Sequence, residues 1–258
     1  MLQAETEALA GKLATKDGGW IVKGFIDVFR NVYTISDDTK VISKLIEIML
    51  FPALAEFASR EGLKLVPAAE QNHYPDISFI DKDGFRYAVD FKTTYRTNTT
   101  SVNTMTLGAF TGYFREREST KNITFPYSSY KGHFVLGVIY SRAEARANEL
   151  KKFGIDELTN IPSVVRDFDF FAQPKFKIAK DLPGSGNTKN IGSVNDLAAL
   201  KSGGGPFASL GEAVFDDYWM HYLTADMALA AELAAPPYRD IASYFAFKRI
   251  PDTSGEHK

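Results

Sequence analysis

The sequence predicts an α/β (α+β) protein built on a mixed central β-sheet flanked by helices, and three observations carry that expectation. Residues 77–93 hold two runs rich in β-branched and aromatic residues, separated by Asp81-Lys82-Asp83-Gly84. The Asp-Gly pair is a tight-turn signal, so the segment reads as a β-hairpin. Residues 133–140, HFVLGVIY, are almost continuously apolar, as a strand buried on both faces should be. Val41, Ile42, Leu45, Ile46, Met49, Ala53, Leu54 and Phe57 recur at helical spacing.

Taken in order, residues 3–16 read as a short amphipathic helix, and residues 20–33 as one or two strands around Gly24 with an apolar surface to cover. Ser36-Asp37-Asp38-Thr39 supplies helix-capping residues and acids at the positive end of the next helix dipole. Pro52 predicts a kink or break in that helix, and Gly62 suits its C-terminal cap. Glu47 flanks the apolar stripe, where it could pair with Lys44 or Lys40. Beyond the hairpin come a polar loop (96–104), a strand or turn running into a short helix (106–119), and the buried strand. A polar helix (144–152), a turn at Pro162 and two further strands (168–171 and 176–179) follow. Residues 201–206 read as a flexible link. Ser209 with Glu212 reads as a capping box opening a helix through Val214, Tyr218, Trp219 and Tyr222. A second helix is expected to reach Ala235 and end at Pro236-Pro237.

Composition removes whole classes of chemistry. With 258 residues, 45% hydrophobic and 24% charged, the chain can bury a sizeable core as one large domain or two small ones. It has no cysteine, which excludes disulfides, thiolate metal sites and thiol nucleophiles. His73, His133, His221 and His257 show no metal-ligand spacing, and the longest strand-like apolar run is too short to span a membrane. The first residues carry acids and no apolar core, so a cytoplasmic address is expected. Net charge is −2, yet residues 84–152 carry eleven Lys/Arg against five Asp/Glu, and residues 204–258 carry four against eight. That asymmetry suits one nucleic-acid-facing cleft and a solvated back, or is an ordinary surface fluctuation.

The chemistry concentrates between residues 71 and 95, QNHYPDISFIDKDGFRYAVDFKTTY. On the second hairpin strand Phe85, Tyr87, Val89 and Phe91 share one face, and Arg86, Ala88, Asp90 and Lys92 the other. Asp76 follows Pro75 at the mouth of the neighbouring strand. Two carboxylates suit a hard divalent cation and a nearby ammonium can steady an oxyanion, the parts that metal-assisted phosphodiester hydrolysis needs. The same residues could be solvated charge beside a turn. The loop at 181–188, DLPGSGNT, has neither a dinucleotide fingerprint nor a Walker A lysine, and by itself reads as a turn.

DTKVISKLIE, QNHYPD, DFKTTY, TLG, residues 120–142 and GSGNTKNIGS, in that order, resemble the EcoRV-like type II restriction endonucleases of the PD-(D/E)xK nuclease superfamily. The likeness runs from about Ser36 to Ser193, with a weaker echo at FDDYW near residue 215. It implies a restriction-endonuclease-like fold over the whole chain. Residues 1–35 and part of 145–165 would serve as dimerisation elements, 36–200 as the catalytic and recognition core, and 206–258 as a helical tail. It implies catalysis by Asp76, Asp90 and Lys92, with Glu47 as an auxiliary metal or water-orienting carboxylate. Mg²⁺, or Mn²⁺ as a substitute, would be held by Asp76, Asp90, the Phe91 carbonyl and Glu47. DNA contacts would come from Thr39, Lys40, Ser43, Gln71, Asn72, Thr94, Tyr95, Lys121, Asn122 and Arg142, and from the loop Gly184, Ser185, Gly186, Asn187 and Thr188.

The physics of that loop fits base reading. Glycine lets the backbone reach base edges, Asn187 can bond adenine in bidentate fashion, and the Thr188 methyl can touch thymine. The resemblance thus implies a bacterial homodimer on double-stranded DNA, cutting GATATC at its centre to blunt, 5′-phosphorylated ends, with a cognate methyltransferase as functional partner. Three features depart from the family pattern. Glu70 replaces an uncharged Gln, Gly112 replaces a Ser near the scissile phosphate, and the hairpin is two residues shorter. A DNA-binding dimer without turnover and a repair nuclease acting on damaged duplex are the rival readings.

Overall fold

The computed structural model describes residues 2–144, 148–184 and 188–249. Helix α1 (Leu2–Leu13) precedes strands β1 (Gly24–Ile26) and β2 (Asn31–Thr34), then α2 (Thr39–Arg60) and β3 (Lys64–Pro67). The hairpin β4 (Ile77–Ile80) and β5 (Arg86–Tyr95) comes next, then β6 (Thr106–Ala109), β7 (Tyr130–Arg142), β8 (Lys152–Gly154) and β9 (Val165–Pro174). The chain continues through α3 (Lys175–Ile178), β10 (Ala179–Pro183), β11 (Asn190–Ser193), α4 (Leu197–Ser202), α5 (Glu212–His221), α6 (Ala225–Ala230) and α7 (Ile241–Lys248).

Five strands form the central sheet in the order β3-β4-β5-β7-β9. Only β5 and β7 run parallel; the other neighbours are antiparallel, so the sheet is mixed as expected. Side-chain alternation divides its two faces. Val89 and Phe91 on β5, with Leu136, Val138 and Tyr140 on β7, pack with Ile46, Leu50, Leu54 and Phe57 of α2 and Leu9 and Leu13 of α1. Ala88, Val135, Ile139 and Phe171 face the opposite way, toward Phe110, Phe114, Phe215, Tyr218 and Trp219. This two-sided burial explains why β7 is apolar without alternation. A second sheet, β1-β2-β8, stands apart from the central one, and a third, β10-β11-β6, carries the loop that begins at Gly184.

Helix α2 starts where the sequence places it, with the Asp38 side chain accepting from the Lys40 and Val41 amides at 2.9 and 3.1 Å. It does not break at Pro52. Pro52 lies on the exposed side, where water can take the carbonyl left without its donor.

Other local expectations yield to tertiary packing. The polar helix expected over 144–152 is not formed by its described residues; Lys152 opens β8, and Phe153 is buried with Val32 and Ile161. Residues 175–178 make a helical turn rather than a strand. The link at 201–206 is packed: α4 runs to Ser202, and the Gly205 amide donates to the Lys177 carbonyl at 2.7 Å. A Cβ on Gly205 would lie 2.7 Å from that same oxygen, so only glycine allows the approach. Helix α5 is capped by Gly211 at φ +86° rather than by Ser209. The next helix stops at Ala230, short of Ala235, and α7, absent from the sequence reading, opens with an Asp240–Ser243 capping box. No helix among the described residues is long and apolar enough to cross a membrane.

Candidate active site

The antiparallel register of β4 and β5 pairs Ile77 with Val89, and one more step of it sets Asp76 opposite Asp90. The Asp76 carbonyl accepts from the Ala68 amide at 3.0 Å, and its carboxylate Oδ2 accepts from the Phe91 amide at 2.6 Å. On β5, Asp90 and Lys92 project from one face and form an ion pair. The Lys92 ammonium also donates to the Phe91 carbonyl at 3.1 Å. Two acids, one amine and one main-chain oxygen therefore meet at the end of the hairpin, as the alternation of residues 85–92 predicts.

Electrostatics sharpens that picture. Burial, then the Asp90 charge, pushes the Asp76 carboxyl up to about 7, against the pull of Lys92 and the Phe91 amide. For Lys92, burial disfavours the charged form, but attraction from Asp90 and then Asp76 outweighs it and lifts the ammonium above its ordinary value. Lys92 is therefore a cation, suited to steadying negative charge and unsuited to taking up a proton.

Glu47 pairs with Lys44 at 2.7 Å, one of the two partners its position on α2 allows. Its charge still adds to the field holding Lys92 protonated. Among the described residues no group of three or more His, Asp or Glu side chains is assembled that could hold a metal ion. The structure thus brings Asp76, Asp90 and the Phe91 carbonyl together and leaves Glu47 at their flank.

The residues expected to meet DNA separate into groups. Thr39, Lys40, Ser43 and Gln71 line one open cleft of about 420 Å³ with Lys44, Glu47 and Thr93, and Asn72 is exposed next to Gln71. Lys121 is exposed. Asn122, at φ +58°, accepts through its carbonyl from the Tyr74 amide at 3.0 Å. The Arg142 guanidinium lies 3.9 Å from the Tyr95 ring centroid. Thr94 is buried and gives its hydroxyl to the Asn103 carbonyl at 2.6 Å, which turns it inward. The Gly184 amide donates to Asn190 at 2.9 Å, and a Cβ on Gly192 would come within 2.9 Å of Gly184 Cα, so the loop's base is tightly closed. Thr188 is half-buried where the chain returns toward β11. Ser185, Gly186 and Asn187 lie outside the described residues. Glu70 is exposed, and at Gly112, φ +59°, a Cβ would meet open space.

Behind the acids lies a buried layer that sequence reasoning missed. The Tyr74 hydroxyl shares a hydrogen bond with His133 Nδ1 at 2.8 Å, and the Tyr127 ring stacks on His133 at 3.9 Å. Burial, then the charges of Lys175 and Arg117, holds His133 well below its ordinary value and keeps the ring neutral. Lys175 is 2% exposed, and burial lowers its ammonium to about 8. Its place in the largely apolar stretch FFAQPKFKIA is the one sequence signal that marked it.

The family model for the restriction endonuclease EcoRV matches residues 16–249. The chain belongs to the EcoRV family. It is 34% identical over 226 residues to the type II restriction enzyme EcoRV of Escherichia coli, an alignment that covers 86% of this chain and 89% of that enzyme. This EcoRV-family protein is accordingly a DNA-cleaving hydrolase, a type II restriction endonuclease that acts at specific sites. The matched span contains both acids, Lys92 and the loop at 184–188.

Proposed function

We propose that the protein is a homodimeric, Mg²⁺-dependent endonuclease that cuts both strands at the centre of GATATC, leaving blunt ends with 5′-phosphates. The observation that carries this is the convergence of Asp76, Asp90 and Lys92 from paired strands. The donor set fits a hard divalent cation. Burial, then the neighbouring Asp90 charge, pushes the Asp76 carboxyl up to about 7, and a cation between the two acids would offset both. Asp76, Asp90 and the Phe91 carbonyl would hold Mg²⁺, or Mn²⁺ in its place, with Glu47 in reserve at the flank. The bound ion would acidify a water and offset charge growing on the phosphorus.

The protein's own groups do the rest. Lys92, fixed as a cation by the two acids, faces the non-bridging oxygens as the P–O3′ bond breaks. Thr39, Lys40 and Ser43 lie in the cleft with Glu47 and Gln71 and take the DNA backbone. Lys121, Asn122 and Arg142 extend that contact, with Tyr95 beneath Arg142. The loop 184–188 reads bases in the major groove, each good contact adding roughly 1–3 kcal/mol of discrimination.

A palindrome needs a two-fold partner. The β1–β2 hairpin exposes Phe25, Ile26, Val28, Phe29 and Tyr33, an apolar patch that a second copy would cover. A cytoplasmic bacterial protein of this kind would work beside a methyltransferase that protects the same site. Incubating plasmid with protein and Mg²⁺ and sequencing the ends tests the proposal. Discrete blunt fragments ending in GAT and ATC support it; intact DNA, a random smear or staggered ends would refute it.

A further inference from the structure

Tyr113 lies in the short turn Gly112–Phe114 after β6, and its ring belongs to a cluster of three stacked tyrosines. It stacks on Tyr74 at 5.2 Å with 12° between the planes, and on Tyr127 at 6.2 Å and 20°. Tyr74 sits two residues before Asp76, so the stack fastens Tyr113 to the segment that delivers the first carboxylate. The far end of the ring reaches Gly108: a Cβ there would lie 3.6 Å from the Tyr113 hydroxyl and 3.5 Å from the Lys175 ammonium. Gly108, at φ +99°, keeps that space clear.

A phenylalanine would make the same stacks. Lys175 Nζ, which borders the same space beside Gly108, is buried and has no hydrogen-bond partner among the described residues. Its ammonium lies 5.0 Å from the Tyr74 ring centroid, so positive charge stands behind the stack. Burial, then the charges of Asp90 and Asp76, drives the Tyr113 hydroxyl above its ordinary value. The group therefore lies in the field of both acids and keeps its proton, which makes it a donor and not a base.

We propose that Tyr113 is a further catalytic residue, whose hydroxyl donates a hydrogen bond to a non-bridging oxygen of the scissile phosphate, with Lys175 as a positioning residue behind it. This rests on the nuclease reading above and adds to it a contact on the side of the site opposite α2. The donor is preorganised by two aromatic stacks, so it needs no rearrangement as charge accumulates on the phosphate.

The test compares wild type with Tyr113→Phe, which keeps the ring and removes only the hydroxyl. Single-turnover cleavage of a short GATATC duplex is measured with Mg²⁺, duplex affinity with Ca²⁺ in its place, and thermal midpoint alongside. The expected result is a cleavage rate lower by about 10- to 100-fold, with affinity and midpoint unchanged. Sulfur is a poor hydrogen-bond acceptor. One of the two phosphorothioate diastereomers at the cut position should therefore slow the wild type more than it slows the variant. Equal rates, equal sulfur penalties, or a rate loss that merely follows a lowered midpoint would overturn the assignment. Should the wild type itself leave the duplex intact, the nuclease reading falls and this inference with it.

Discussion

Replacing Asp76 by Asn should stabilise the metal-free protein while destroying its activity. The Asp76 carboxyl titrates near 3.8 in an unfolded chain and at about 7 in the folded one, because burial and Asp90 both oppose its charge. At about 1.4 kcal/mol for each tenfold change in proton affinity, that is roughly 4 kcal/mol. The sign follows from proton uptake. Below about pH 4 both states hold the proton and the site costs nothing. Between about 4 and 7 the unfolded chain releases it and the folded chain does not, so stability falls as pH rises; above 7 the loss is complete. Asparagine carries no charge and its oxygen can still accept from the Phe91 amide, so the slope should vanish. The pull of Lys92 is already included in that rise, but an amide fits the acid's place only imperfectly, which takes back part of the gain. The net stabilisation at pH 8 should be about 1–3 kcal/mol. Urea unfolding with a chelator present, at intervals from pH 4 to 8, measures it. A variant no more stable than wild type at pH 8, or a difference that does not grow between pH 4 and 7, would refute the reasoning.

Two further outcomes follow from the surface and the loop. Phe29 is 81% exposed, so Phe29→Asp leaves the monomer's core intact but places a charge in the apolar patch; sedimentation should show a shift from dimer to monomer, and an unchanged dimer would put the interface elsewhere. Asn187→Ala should remove about 1–3 kcal/mol of discrimination, read as a lower ratio of cleavage at GATATC over sites changed at one adenine. An unchanged ratio would take Asn187 out of base recognition.

Patterns that depend on neighbours in sequence were legible, and patterns that depend on distant partners were not. The Asp81–Gly84 turn, the Asp38 cap and the apolar run in β7 are local signals, and each element formed where expected. Asp76 and Asp90 could be paired in advance because a tight hairpin fixes its own register. Lys152 and Phe153 became a strand because β2 offered an edge and Val32 a contact, which no local propensity reports. Gly203, Gly204 and Gly205 looked like a link because nothing in their composition tells of the Gln173 side chain against Gly203 or the Lys177 carbonyl against Gly205. Tyr74, Tyr113, Tyr127, His133 and Lys175 come from four separate parts of the chain, and their shared chamber exists only in three dimensions. Pro52 shows the reverse error: a helix breaker is tolerated where its face meets water.

If strand scission runs through the acids at the end of the hairpin, removing one of them must stop it while DNA still binds. Wild type and Asp90→Ala, assayed side by side on plasmid with Mg²⁺ and for binding to a GATATC duplex, test it most directly. Wild type should give discrete fragments, and the variant should bind the DNA but cut it at a rate at least about 1,000-fold lower. The same fragments at a comparable rate from both proteins would contradict it.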